Sequence, residues 1–236
     1  MDIKQLAENY QPNQDVIETV KQSRIVLLAG IMAAGKDTII ERLLDGQDYH
    51  RIVSHTTRPP RTNNGLAEQN DIDYHFVSID GMAQLLADNK MIEVNKFGSN
   101  YYGTSVAEIA EANRGHKIAI TDIDVHGVDS FYKIAPSSIT AIFIIPPSYK
   151  IWLDRLGKRY QSKESELASV WQERRQVAID ELEYVLQNPN YYFVVNDDLD
   201  EAVVQVDKIA HGYSDGNYEI AYTIAKQLIN TIKQEV

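Results

Sequence analysis

The stretch that decides the fold is 25–44, IVLLAGIMAAGKDTIIERLL. Its first five residues are apolar and predict a buried strand, Gly30 opens a turn, and the apolar-periodic run over 37–44 predicts a helix. Gly30, Gly35 and Lys36 stand at the spacing GxxxxGK[ST]. A loop of that spacing turns backbone N–H groups onto phosphate oxygens at a helix N-terminus, with the lysine near the terminal phosphate. One position departs from the pattern: Asp37 stands where Ser or Thr normally helps to hold Mg²⁺, and Thr38 adjoins it.

Outward from the loop, strands alternate with helices. Strands are predicted at 24–29, 51–55, 74–77, 91–97, 117–123, 140–145 and 191–195. Helices are predicted from Ser78 or Asp80 to about Asp88, from Thr104 or Ser105 to near Gly115, and over 149–156, 163–186, 199–210 and 218–234. A modest apolar pattern at Val16, Ile17 and Val20 predicts one short helix near the N-terminus, and the turn-rich segment 62–71 is expected to be mobile. The alternation argues for an α/β fold, a parallel sheet covered on both faces by helices. Ligands of such sheets collect beyond the carboxyl ends of the strands. Those ends carry Gly30, Ser54, Asp122, Asp124 and Asn196. The hairpin-like stretch 56–103 interrupts the alternation and reads as an inserted lobe.

Composition narrows the function classes. With 236 residues, 44% hydrophobic and 24% charged, the chain can bury a sizeable core. It has no cysteine, which excludes a disulfide framework and thiolate metal sites and suits a reducing cytoplasm. No apolar run approaches the roughly 18 residues of a membrane span. A net charge of −11 argues against non-specific binding to nucleic acid or to an anionic membrane, though not against a nucleotide held by a local arginine cluster.

A family resemblance rests on several motifs in order. Val53-Ser54-His55-Thr56-Thr57-Arg58-Pro59-Pro60-Arg61 is followed by Asp73-Tyr74-His75-Phe76-Val77-Ser78, Ile92-Glu93 and Asn100-Tyr101-Tyr102-Gly103-Thr104-Ser105. Asp122-Ile123-Asp124 with Gly127, and Val194-Val195-Asn196-Asp197-Asp198, complete the series. Over roughly 24–207 the chain resembles the guanylate kinases, P-loop kinases that phosphorylate nucleoside monophosphates. The resemblance implies a kinase core of about 24–207 with an acceptor lobe of about 56–103 and a helical lid of about 148–188. Segments 1–23 and 208–236 stand outside it as terminal extensions.

The residues agree with the chemistry that the resemblance implies. Arg58 and Arg61 offer planar forks suited to the phosphate of GMP, and the hydroxyls of Tyr74 and Tyr102 can complete its shell. Guanine presents two N–H donors that Glu93 can accept, while Ser54 and Thr104 reach the base and Asp124 the base or ribose. Adenine has no such donor pair, so a carboxylate in the pocket favours guanine. Taken singly, these residues have plainer roles: Thr104 as a helix cap, the tyrosines at a core edge, the arginines in a solvated loop.

For ATP, the resemblance implies a site made by Gly30, Ala33, Ala34, Gly35, Lys36, Asp37 and Thr38, with Asn196 near the adenine and Asp37 toward Mg²⁺. Arg155, Lys158, Arg159, Arg174 and Arg175 flank or lie on the helices after strand 140–145. The resemblance points to Arg159 and Arg174, with Lys36 and Arg58, as the catalytic cations.

The chain departs from the family in four places. Ala33 replaces a glycine, and Asp37 replaces a hydroxyl. The segment before Tyr74 is stretched, leaving Glu68 as the match for the family's glutamate. The lid reads Leu156-Gly157-Lys158-Arg159-Tyr160 in place of a glycine-flanked arginine run.

The expected reaction is ATP-dependent phosphorylation of GMP or dGMP with Mg²⁺, in the cytoplasm and without nucleic acid or membrane. The alternatives are a catalytically silent binding module and a related kinase with another small phosphorylated acceptor. A C-terminal stripe of Ile220, Ile224, Leu228 and Ile232 is expected to pack on the core or to form a homodimer contact through the terminal helices.

Overall fold

The computed structural model describes residues 2–63, 66–160, 164–214, 216 and 218–235. Helices α1 (Ile3–Glu8) and α2 (Gln14–Lys21) precede β1 (Ile25–Ala29) and α3 (Lys36–Leu44). Five short strands follow: β2 (Tyr49–Arg51), β3 (His55–Thr56), β4 (Thr62–Asn63), β5 (Leu66–Ala67) and β6 (His75–Phe76). Next come α4 (Ile79–Ala87), β7 (Met91–Phe97), β8 (Asn100–Ser105), α5 (Val106–Arg114), β9 (Ile118–Asp122) and α6 (Val125–Ile134). The chain continues through β10 (Ile139–Ile145), α7 (Tyr149–Arg159), α8 (Glu164–Leu186), β11 (Tyr191–Val195), α9 (Leu199–Ala210) and α10 (Tyr218–Gln234).

The architecture is α/β, a parallel sheet flanked by helices. The larger sheet has the order β11-β10-β1-β9-β2. β10 pairs with β11, and β2 with β9, in parallel. Every residue of β1 is buried, as a strand covered on both faces requires. A smaller mixed sheet has the order β6-β3-β8-β7, and β4 and β5 form a separate hairpin inside the segment expected to be mobile. Asn64 and Gly65 of that segment, and Lys163 at the predicted start of the long helix, lie outside the described residues.

The chain divides into two compact units. The first comprises Met1–Ile25, Gln47–Thr121 and His126–Ile139, and includes the smaller sheet. Met82, Leu86, Met91 and Tyr101 form a buried cluster there, against which Ile3, Leu6, Ala7 and Tyr10 pack. The Tyr10 hydroxyl donates to the Met91 carbonyl at 2.5 Å, so the N-terminal extension is tied to the lobe. Helix α2 is capped by the Asn13 side chain and buries Val16 and Val20, as its pattern predicts.

Two predictions in this unit are corrected. The strand expected at 51–55 is divided: β2 ends at Arg51 in the larger sheet, and β3 begins at His55 in the smaller one. Ser54 therefore lies in the link between two sheets. Thr104 is not a helix cap. It lies inside β8, and Ser105 occupies the cap position of α5 without a side-chain bond.

The second unit comprises Val26–Gly46, Asp122–Val125 and Thr140–Val236. Its C-terminal helix α10 packs on α7, α8 and β11. The covered face is Ala221, Ala225, Leu228, Ile229 and Ile232, whereas Ile220 is 53% exposed, so the stripe is rotated one residue from the predicted one. Small alanines let α10 approach its neighbours closely. Buried Arg175 of α8 donates to the Ile232 carbonyl, and Lys233 pairs with Glu183 at 2.5 Å.

Candidate functional site

The phosphate loop is built by backbone geometry. Gly30 adopts φ 150°, Ala33 φ 62° and Gly35 φ 99°, and α3 starts immediately after at Lys36. Ala33 thus holds a left-handed conformation that costs a non-glycine residue about 1–2 kcal/mol. Gly35 is required twice over, by its φ and because a Cβ there would lie 2.3 Å from the Asn196 amide nitrogen. That amide donates to the Ala34 carbonyl at 2.8 Å, and Arg155 donates to the Asn196 carbonyl at 2.8 Å. The Trp152 indole N–H donates to the Met32 carbonyl at 2.8 Å. Helix α7 and the end of β11 therefore clamp the loop. Lys36 donates its ammonium to the Gly30 carbonyl at 2.6 Å, curled back over the loop that it would serve.

The loop borders a cavity of about 390 Å³. Ala33, Gly35, Lys36, Asp37 and Thr38 line one side, and Arg155, Lys158, Arg159, Asn196, Asp197 and Leu199 the other. Four cationic side chains thus face a cavity bordered by a helix N-terminus, an arrangement suited to polyphosphate. Sequence reading noted Arg155 without assigning it; its link to Asn196 is a tertiary contact that spacing does not reveal. Asn196 is 4% exposed and serves the loop as a clamp as well as lining the cavity. Arg174 lies on α8, its buried Nε without a hydrogen-bond partner, while Arg175 is turned toward α10.

Asp37 and Thr38 supply oxygen donors at the cavity, which fits Mg²⁺, an ion that uses one or two carboxylates together with water and phosphate. Among the described residues no group of three or more His, Cys, Asp or Glu could hold a metal alone, so such an ion would share its ligands with the nucleotide.

The smaller sheet builds a different kind of site. Arg58 is 6% exposed and makes a bidentate pair with Glu68, at 2.8 and 3.1 Å. Glu68 also accepts from the Arg61 backbone N–H at 2.7 Å. The Arg58 guanidinium lies over the rings of Tyr74 and Phe76, 5.3 and 5.9 Å from their centroids. Burial works against the Arg58 charge, but hydrogen bonds to Glu68 and Tyr102 outweigh it and raise its pKa. Glu68 is shifted oppositely: burial favours its acid form, but Arg58 and the Arg61 N–H outweigh that and hold it below the usual carboxylate range. The Arg61 side chain is exposed.

Glu93 and Thr104 face each other across the antiparallel pair β7/β8. They are 7% and 1% exposed. Glu93 accepts from the Asn95 amide at 2.8 Å, whereas the buried Thr104 hydroxyl has no hydrogen-bond partner. A buried hydroxyl without a hydrogen-bond partner beside a buried carboxylate has the capacity to bond a polar ligand. Gly103 allows this pairing, since a Cβ there would lie 2.5 Å from the Glu93 carbonyl.

Of the predicted acceptor residues, Ser54, Arg58, Arg61, Glu68, Tyr74, Glu93, Tyr102 and Thr104 belong to the first unit. Asp124 belongs to the second, exposed at the turn between β9 and α6.

The first unit also holds a histidine cluster. His75 bonds Asp71 at 2.7 Å and Glu108 at 3.0 Å, and its ring lies 4.5 Å from that of His55. Burial opposes the His75 charge, but the two carboxylates outweigh it and raise its pKa. Burial and the neighbouring His75 lower His55 to about 4.

The sheet topology and the clamped loop define an α/β protein of the phosphate-loop class. The family model for guanylate kinase matches residues 22–213. The guanylate kinase of Schizosaccharomyces pombe is 36% identical over 187 residues, covering 78% of this chain and 88% of that protein. The guanylate kinase of Neisseria gonorrhoeae is 36% identical over 185 residues, covering 77% and 84%. The crystal structure of guanylate kinase from Anaplasma phagocytophilum shares the fold, with a TM-score of 0.60 at 24% identity over 80% of this chain and 85% of that one. The chain belongs to the guanylate kinase family.

Proposed function

We propose that the protein transfers the terminal phosphoryl group of ATP to GMP or dGMP. The observation that carries this reading is the buried Glu93–Thr104 pair with its unpartnered hydroxyl, in a chain that also holds a clamped phosphate loop. Guanine offers the two N–H groups that a carboxylate accepts and an O6 that a hydroxyl can address. Adenine lacks that donor pair and places an acceptor at N1 where guanine has N–H, a mismatch worth up to about 10⁴-fold in discrimination.

Phosphoryl transfer asks the protein to position two phosphates in line and to neutralise charge on the transferred group. In this reading Lys36 leaves the Gly30 carbonyl for the β- and γ-phosphates, and Arg155 and Arg159 add charge along the cavity. Arg174 approaches the transferring group from α8. Arg58, held in orientation by Glu68 and the Tyr74 ring, presents its remaining N–H groups with Tyr102 to the GMP phosphate, and the exposed Arg61 closes on it. Ser54 reaches the base, and Asp124 the ribose or base. Asp37 and Thr38 would hold Mg²⁺, which when bound would supply charge neutralisation. No protein nucleophile is required.

A cytoplasmic setting accords with the cysteine-free composition. Among the described residues no helix is long and apolar enough to cross a membrane. The proposal takes no nucleic-acid partner. A homodimer contact through the terminal helices would have to use the outer face of α10, where Tyr218 and Ile220 are exposed.

The test is ADP release with ATP, Mg²⁺ and GMP, beside calorimetric titration with each nucleotide. Turnover with binding of both supports the enzyme. GMP binding without ATP binding or turnover would identify the silent module.

A further inference from the structure

The N-terminal extension is fastened to the strand that carries Glu93. Residues 1–21 lie ahead of the segment 22–213 that matches the family model, yet α1 and α2 both pack on β7. Two hydrogen bonds hold the link between those helices. The Tyr10 hydroxyl donates to the Met91 carbonyl at 2.5 Å, and the Asn13 backbone N–H donates to the Asn89 side chain at 2.6 Å. Asn89 stands in the turn before β7 with a left-handed φ of 55°, and Met91 is the first residue of β7. The two bonds therefore fix the chain on either side of Lys90, whose carbonyl accepts from the Val106 N–H at 3.0 Å. Burial raises the Tyr10 pKa against the effect of the Met91 bond, so the phenol keeps the proton that it donates.

The ladder is irregular immediately after Met91. Met91 stands opposite Ser105 and Glu93 opposite Thr104, so Ile92 is the extra residue of a β-bulge. In an unbroken ladder Ile92 would face Thr104, and Glu93 would face Gly103. The bulge thus creates the Glu93–Thr104 pair on which the proposed recognition of guanine depends. Bulges re-aim side chains, and a re-aimed side chain stays in place only where its surroundings hold it. Here Tyr10 bonds the carbonyl at the upstream edge of the bulge, while Met82, Leu86 and Tyr101 pack around the Met91 side chain.

We infer that the N-terminal extension is a specificity device of the acceptor site: Tyr10 is a positioning residue that pins the bulge at Ile92 and so holds Glu93 opposite Thr104. Asn13 with Asn89 is the second tie. Without the phenol the bulge can relax toward the unbroken register, in which an apolar side chain meets Thr104. All of these residues belong to the first unit, so the effect falls on the acceptor and not on ATP.

The role rests on the proposed GMP site, and the experiment separates the two. The ratio of kcat/KM for GMP to that for AMP is measured for the full-length wild type, Tyr10→Phe, Glu93→Gln and the double variant. Tyr10→Phe keeps the ring and is expected to lower the ratio about fivefold, through the KM for GMP, with the KM for ATP unchanged. In the Glu93→Gln background the same substitution is expected to change the ratio by less than about twofold, because Tyr10 acts through Glu93. Ile3→Ala thins the same apolar cluster without removing either bond, and is expected to lower Tm while leaving the ratio unchanged. An unchanged ratio in Tyr10→Phe, or equal losses with and without Glu93, overturns the role of Tyr10 alone. So does a loss of preference in Ile3→Ala equal to that in Tyr10→Phe, the mark of a merely structural role. Absence of any GMP preference in the wild type overturns the acceptor reading, and this role with it. Should Tyr10→Phe not fold, Asn89→Gly decides, since glycine keeps the left-handed turn and removes only the acceptor of the Asn13 N–H. A ratio lowered about twofold supports the proposal, and an unchanged one overturns it.

Discussion

In the proposed reading the two units hold phosphate in opposite ways. The phosphate loop is a backbone device: residues 33 and 35 are left-handed, the side chains of Asn196 and Trp152 hold its carbonyls, and Arg155 holds the Asn196 carbonyl in turn. The lobe is a side-chain device: the fork of Arg58 is aimed by a carboxylate ten residues on and by an aromatic ring. A backbone cradle binds phosphate irrespective of what is attached to it. A side-chain cradle beside a carboxylate–hydroxyl pair can select the base as well. In the proposed reading that difference in construction separates a common phosphate source from a specific acceptor.

The contrast can be broken by substitution, and the largest effect is expected at Lys36. Lys36→Ala should lower kcat by about 10³-fold while GMP affinity, measured by calorimetry, stays unchanged. A matching loss of GMP binding would mean that the two sites are not separate devices. Glu93→Gln should reduce the preference for GMP over AMP by about 100-fold, measured as the ratio of kcat/KM values, with the ATP KM unaltered. An unchanged ranking of acceptors would remove Glu93 from the base pocket.

Glu68→Gln sharpens the comparison, because the lobe holds the buried Arg58–Glu68 ion pair. Removing one partner from such a pair costs about 3 kcal/mol or more. The variant should melt earlier than the wild type, and GMP should protect it more than it protects the wild type by giving Arg58 a new anion. ATP should not show that extra protection.

Smaller effects concern strain and protons. Ala33→Gly should stabilise the protein by up to about 1 kcal/mol, because relief of the left-handed alanine slightly exceeds the added chain entropy. Urea unfolding reads it. The His55–His75 pair makes lobe stability depend on pH in both directions. The raised His75 contributes fully below its unfolded value of about 6.5 and loses that contribution as pH rises through its folded pKa. The lowered His55 contributes fully above 6.5 and loses that as pH falls toward about 4. Stability from the pair should therefore peak near pH 6.5, and His55→Asn should flatten the acid side.

The sequence carried the loop, the larger sheet and most helices, because these depend on local spacing. β7, α9 and α10 occur at the predicted residues. What escaped depends on neighbours. Helix α1 has no buried residue of its own and is held by the cluster around Met82. Helix α6 went unpredicted although Val125, Val128 and Phe131 are buried at helical spacing, with Gly127 interrupting the pattern. The shifted face of α10 shows the limit of counting large apolar residues, since Ala221 and Ala225 make the close approach while Ile220 faces outward. The Glu93–Thr104 pairing was legible as two residue types, but only strand register places them opposite each other. Arg155 carried no motif; its contact with Asn196 marks it out.

The most direct measurement is ADP release by the wild-type protein with ATP and Mg²⁺, across GMP, dGMP, AMP, CMP, UMP and a ribose bisphosphate. The account predicts turnover with GMP and dGMP and kcat/KM at least about 10²-fold lower with every other acceptor. Equal turnover of AMP, or a preference for the ribose bisphosphate, would contradict it.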